Sequence, residues 1–162
     1  MEENGTDQLE YYLSSLNELS RVLIDADRVD SVGTGILRLT LGTIMASKGA
    51  IFLYNKDKEV SILSKRGFDL SISLSVSSAE LEALKNHKHG HLVLPIEDRG
   101  QNSKTFERLT KEKAKIVLPL FHKNNFLGLL CVGSKFMGEK YSSIDIKILE
   151  IIAGHLTKAL YN

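Results

Sequence analysis

With 162 residues, 43% hydrophobic and 25% charged, the chain is long enough to bury a substantial core and sits in the ordinary range of a single globular domain, which excludes disordered and fibrous classes. Its 21 basic and 20 acidic side chains nearly cancel, so there is no electrostatic case for nucleic acid as the main partner. A single cysteine, Cys131, rules out an intrachain disulfide and a cysteine metal cage; the N-terminus lacks a signal-peptide pattern, and no run of about 18 apolar residues exists to cross a membrane, so a soluble, cytoplasmic module is expected.

Residues 1–6 are expected to form a disordered tail. From 7 to 26, Leu9, Tyr12, Leu13, Leu16, Leu19 and Leu23 recur at steps of three and four, which predicts an amphipathic helix. Asp27 or Asp30 is placed to cap a second helix carrying Val32, Ile36, Leu39, Leu41, Ile44 and Met45 on its apolar side. Gly33, Gly35 and Gly42 would let that helix approach a sheet closely, and Lys48-Gly49 would break it. Ala50 to Tyr54 reads as a buried strand, Asn55-Lys56-Asp57-Lys58 as a hairpin turn, and Glu59 to Arg66 as the returning strand. Ser71 to Val76 alternates strictly, the period of a half-buried strand.

Ser77 followed by Glu80 is a capping-box spacing, opening a short helix with Leu81 and Leu84. Residues 86–101 are the least regular stretch, with a short strand at His91 to Leu94. Ser103 to Lys113 predicts a helix with Phe106 and Leu109 on its apolar side. The chain closes with a hairpin (115–121 and 126–134, turned at His122-Lys123-Asn124-Asn125) and a helix over 142–161. Ser142 and Asp145 form a capping-box-like start for that helix, Asp standing where Glu or Gln is preferred. The economical arrangement is an α+β single domain, an antiparallel sheet of about five or six strands with helices on its faces.

Four segments together carry a family resemblance: Gly49-Ala50-Ile51-Phe52-Leu53-Tyr54 before a polar turn, Ile116-Val117-Leu118-Pro119-Leu120, then Phe126-Leu127-Gly128-Leu129-Leu130-Cys131-Val132, and Tyr141-Ser142-Ser143-Ile144-Asp145 opening the last helix. In order and spacing they resemble the GAF family over about residues 10 to 160. PAS and other small sensor folds share parts of this architecture but place their crossover helices differently. The resemblance implies a sensor domain, residues 7–162, with the terminal helices on one face of the sheet and short helices and loops covering a ligand pocket on the other. It further implies a regulatory rather than catalytic role, a cyclic nucleotide (cAMP or cGMP) as leading ligand, and control of an output domain such as a nucleotide cyclase, phosphodiesterase or kinase. The alternative is a ligand-free structural dimerisation module. The chain departs from the phosphodiesterase subgroup: Asn102, Lys104 and Phe106 come close to its pattern, but Thr110-Lys111 stands where that subgroup has Asp-Glu.

Candidate site residues follow. Ser73, Ser75, Ser77 and Ser78, with Ala79, combine hydroxyls with a helix N-terminus, where free amides and the local dipole favour an anion; plain capping explains the same residues. Lys104, Arg108, Lys111 and Lys115 form a basic stripe opposite Phe106 and Leu109, suited to a phosphate or carboxylate or simply to solvent. These give the expected ligand-binding set: Ser73, Ser75, Ser77, Ser78, Ala79, Lys104, Phe106, Arg108 and Leu109. His87, His89 and His91 would share one side of an extended segment, with no carboxylate close by although Glu97 and Asp98 could fold back; a solvated loop, or one histidine in the ligand pocket, is favoured over a metal site, and no cofactor is assigned. Cys131 reads as a buried structural thiol. The leucine stripe of the first helix, widened by Tyr11, Tyr12 and Val22, and Ile144, Ile148, Ile151 and Leu156 of the last predict a parallel homodimer through the terminal helices. The last helix reaches Asn162 without a Gly or Pro stop, which suggests a segment of a longer protein. No nucleophile with an oriented base and no paired carboxylates point to an enzyme.

Overall fold

The computed structural model describes residues 29–69, 73–96 and 104–161, together with Glu10, Ser14, Asn17 and Glu18. Those four isolated positions are helical and exposed, the polar side of the helix expected over 7–26; its leucine stripe and the tail at 1–6 lie outside the described residues.

The first described helix, α1, is Val29–Ile44. Val32, Ile36, Leu37, Leu41 and Ile44 are buried at helical spacing, and Thr40 and Thr43 satisfy their hydroxyls within the helix by donating to the carbonyls of Ile36 and Leu39, each at 2.7 Å. Met45, expected on the apolar side, is instead 53% exposed, because the helix stops there in a left-handed conformation (φ 59°), three residues before the expected break.

Strands β1 (Gly49–Tyr54) and β2 (Glu59–Arg66) form the first hairpin, whose turn is held by the Asn55 side chain accepting from the amides of Asp57 and Glu59. β3 is only Leu74–Ser75, paired to Glu59 and Val60 of β2; it is shorter than the strand expected over 71–76, of which 71 and 72 lie outside the described residues. There follow α2 (Ser78–Asn86), β4 (Leu92–Val93), α3 (Lys104–Lys111), the closing hairpin β5 (Ile116–His122) and β6 (Asn125–Val132), a single 3-10 turn at Phe136–Gly138, and α4 (Ser143–Tyr161).

The six strands make one antiparallel sheet in the order β3-β2-β1-β6-β5-β4. Alternation along the strands builds two cores. Ile51, Ile116, Leu118, Leu120, Leu130 and Val132 face α1 and α4. Ala50, Phe52, Val60, Val117, Leu129 and Cys131 point the other way, toward α2 and α3. A register shift after Leu120 turns Phe126 onto this second face, where its ring lies 4.8 Å from that of Tyr54 and 5.2 Å from that of Phe121. At Gly128, β6 passes so close to β1 that an added Cβ would stand 1.9 Å from the Phe52 carbonyl oxygen, so no other residue fits there without moving backbone.

The fold thus has the expected class, helices on both faces of an antiparallel sheet. The face expected to hold a pocket is packed, among the described residues, by Phe52, Phe68, Phe106, Phe121 and Phe126.

Candidate functional site

The serine segment and the basic helix, some 30 residues apart in sequence, are bonded to each other at one end of the sheet. At the start of α2 the capping box closes as its spacing predicts: Ser77 Oγ accepts from the Glu80 amide at 3.1 Å and Glu80 Oε1 accepts from the Ser77 amide at 3.0 Å. The second oxygen of Glu80 accepts from the Phe106 amide, also at 3.0 Å, so the same carboxyl group caps the first turn of α3. Thr105 completes the joint by donating its hydroxyl to the Ser75 carbonyl at 2.6 Å. Glu80 and Thr105 are each 2% exposed. Sequence reasoning identified Glu80 as a cap of its own helix but missed the bond to α3, and missed Thr105 altogether.

The candidate residues distribute over this joint as follows. Leu74 and Val76 turn inward, so Ser73 and Ser75 turn outward and are exposed. Ser77 is half-buried in its capping role and Ser78 is exposed, with Ala79 half-buried beside it. The capping box uses the amides of Ser77 and Glu80; helix geometry leaves those of Ser78 and Ala79 directed outward from the first turn. Phe106 and Leu109 are wholly within the second core, so they anchor α3 from beneath. Lys104 is exposed, and Arg108 reaches Glu112, Nη2 to Oε1, at 3.9 Å. The Arg108 Nε is buried and has no hydrogen-bond partner among the described residues. The serine segment and α3 thus form a bonded rim over an apolar floor that includes Leu74, Val76, Phe106 and Leu109.

A second buried acid does comparable work at α4. Asp145 is fully buried; its Oδ2 accepts from the Ser142 amide at 2.9 Å and from Lys135 Nζ at 2.7 Å, while Ser142 Oγ accepts from the Asp145 amide at 3.1 Å. The Asp variant of the capping box therefore forms, with a lysine as counter-charge. Beside it the Tyr141 hydroxyl donates to the Gly133 carbonyl, and burial, reinforced by the negative charge of Asp145, pushes the phenol above its ordinary range. Cys131, fully buried in β6, has its thiol pushed up by burial alone.

The three histidines do not lie on an extended segment. The 87–90 segment is a turn, closed by the Gly90 amide donating to the His87 carbonyl at 2.8 Å, with His89 left-handed (φ 63°). His87 lies against the Ala83 carbonyl at 3.0 Å, and His91 Nδ1 meets Glu150 Oε2 at 3.1 Å. Among the described residues no group of three or more His, Cys, Asp or Glu is placed to hold a metal ion, and no helix is long and apolar enough to cross a membrane.

No family model and no curated protein sequence matches the chain. Solved structures do match its shape. The GAF domain of a phosphoenolpyruvate-protein phosphotransferase from Coxiella burnetii superposes with a TM-score of 0.72 at 12% identity, over 94% of each chain. The phycoerythrobilin-bound GAF domain of a cyanobacterial phytochrome gives 0.69 at 17% identity, over 91% of this chain and 93% of that one. The GAF domain of the Acinetobacter phosphoenolpyruvate-protein phosphotransferase gives 0.68 at 12% identity, over 93% and 92%.

Proposed function

From the GAF fold that this chain has, we propose that it is the regulatory sensor domain of a cytoplasmic signalling protein, binding a small anionic ligand and controlling an output domain. The ligand we assign first is a cyclic nucleotide, held at the rim by Ser73, Ser75, Ser77, Ser78 and Ala79 with Lys104 and Arg108; Phe106 and Leu109, expected to touch it, lie beneath in the second core and would act only by holding α3 in place. The observation in support of this reading is the joint itself: Thr105 bonds Ser75 and Phe106 bonds Glu80, which ties the serine segment and α2 to the helix that carries Lys104 and Arg108. The Nε of Arg108, without a hydrogen-bond partner among the described residues, adds a buried donor of the kind a bound acceptor satisfies. Ligand that touches both α2 and α3 would favour one setting of this joint, and that preference is what a sensor transmits.

Bilins are the ligands of the phytochrome neighbour. Within these 162 residues Cys131 is the one thiol, and a fully buried thiol whose ionisation is suppressed by burial is a poor nucleophile for covalent attachment. A second reading, a homodimerisation module without ligand, draws on α4: Ile144 and Ile151, seven residues apart, are 37% and 41% exposed, whereas Ile148, Leu149, Ile152 and Leu156 pack on the sheet.

Calorimetric titration with cAMP and cGMP, on protein whose mass has been fixed by sedimentation, separates the two. Saturable binding at about micromolar Kd or tighter supports the sensor reading. Flat traces from a folded dimer remove the cyclic nucleotide and leave the dimerisation module.

A further inference from the structure

We propose that the cleft between α4 and the β5–β6 hairpin binds a small phosphorylated metabolite, independently of the rim described above. β4 pairs with Ile116 and Val117, so among the described residues the edge of β5 beyond them has no partner strand, and Pro119 on that stretch has no N–H to leave unsatisfied. A cleft of about 250 Å³ opens there, lined by groups that include His89, His122, Lys123, Glu150, Gly154 and Lys158.

Three walls of the cleft are tied pairwise. His91 from the 87–91 loop bonds Glu150 of α4 at 3.1 Å. Lys88 of the same loop donates to Asn124 in the hairpin turn at 2.9 Å and lies 5.9 Å from the Phe121 ring centroid. The His122 ring stacks on Tyr161 at the end of α4, with centroids 3.4 Å apart and planes 21° from parallel. The cleft is therefore preformed rather than a gap between mobile parts, which lowers the ordering cost of binding. Gly154 keeps its mouth open, since nothing lies within 4 Å of where a Cβ would stand.

The chemistry of the lining selects an anion. Two lysines, from the hairpin and from α4, line the cleft with two histidines, and the one carboxyl group among the lining residues, that of Glu150, is bonded through Oε2 to His91. A phosphate ester brings a charge of about −1.5 to −2 and three acceptor oxygens, enough to engage Lys123 and Lys158 together. The volume is that of about eight waters. That is just below the roughly 300–1,000 Å³ typical of drug-sized ligands, which suits a phosphorylated fragment of a few carbons. Such a ligand would bridge the hairpin to the last turns of α4.

Titration of the ¹⁵N-labelled full chain with 2-phosphoglycolate at constant ionic strength tests this. Saturable shifts centred on the Lys123, Gly154 and Lys158 amides are expected, with at least tenfold weaker binding of glycolate, which lacks the phosphate. Lys123→Gln/Lys158→Gln should weaken phosphoglycolate at least tenfold with an unchanged melting temperature, since both side chains are exposed. Gly154→Leu, which fills the mouth, should do the same by sterics. No saturable shift, shifts centred on Ser75 and Arg108 instead, equal binding of glycolate, or unchanged affinity in both variants would each overturn the assignment.

Discussion

Glu80 ties the start of α2 to α3 through one carboxyl group, and its neighbours show how much of this was legible residue by residue. The Ser77–Glu80 spacing announces the cap because both partners lie within one turn of the same helix. The bonds from Phe106 and Thr105 span 26 and 30 residues, and no local pattern encodes such a pairing. For the same reason the alternation of 71–76 foretold that serines and apolar residues face opposite sides, but which side was the core depended on α2 and α3 covering Leu74 and Val76. Glu80→Ala removes the reciprocal half of the cap, about 1 kcal/mol, and strands the buried Phe106 amide, about 1–3 kcal/mol more. The urea midpoint should fall accordingly, and hydrogen exchange at the Phe106 amide should lose protection while Leu130 in the sheet keeps its own. Retained protection at Phe106 would show that Glu80 does not hold α3.

At the scale of elements, α1 carries three glycines that look alike in sequence but differ in packing. A Cβ on Gly33 would meet Leu63 Cδ2 at 2.8 Å and Cγ at 2.9 Å, whereas one on Gly42 would meet nothing within 4 Å. The expectation that glycines let the helix approach the sheet is thus true at Gly33 and not at Gly42, a distinction that only the docked geometry makes. Gly42→Ala should stabilise by about 0.5–1 kcal/mol through helix propensity and a stiffer unfolded chain. Gly33→Ala should destabilise by about 1–3 kcal/mol through overpacking. Thermal melts of the two single variants should move in opposite directions; shifts of the same sign would mean α1 does not sit on Leu63 as described. The hairpins were legible because a polar turn between two apolar runs is a local signal. The end of α1 was not, because a left-handed Met45 is the work of tertiary bonds, the Phe136 amide donating to its carbonyl at 2.7 Å. The stripe on α4 mixed two faces, Ile148 and Leu156 toward the sheet, Ile144 and Ile151 toward solvent.

For the molecule as a whole, the sheet was readable from short apolar runs bounded by polar turns, because burial on both faces leaves near-continuous hydrophobic strands between helical stripes. The cleft beside α4 was not, since its walls come from the 87–91 loop, the hairpin turn and the last helix, and only the sheet order brings them together. The same two-sided burial sets how stability depends on pH. Cys131 inside the second core and Tyr141 beside Asp145 both hold their protons above their ordinary values of 9.0 and 10.0. In the unfolded chain the thiol ionises as pH passes about 9 and the phenol as it passes about 10, while the folded protein keeps both neutral. The unfolded state then binds fewer protons, so stability is fully present below these values and falls as pH rises through them, by up to about 1.4 kcal/mol per pH unit for one differential proton. Urea midpoints measured from pH 7 to 10.5 should fall above pH 9. Cys131→Ala should delay that fall to higher pH. Tyr141→Phe should leave the onset near pH 9 and flatten the later part, the lost bond to Gly133 appearing only as a constant offset of about 1 kcal/mol. If Cys131→Ala declines between pH 8.5 and 10 as steeply as the parent, the thiol is not shielded by the second core, and β6 is less tightly covered by α2 and α3 than their packing implies.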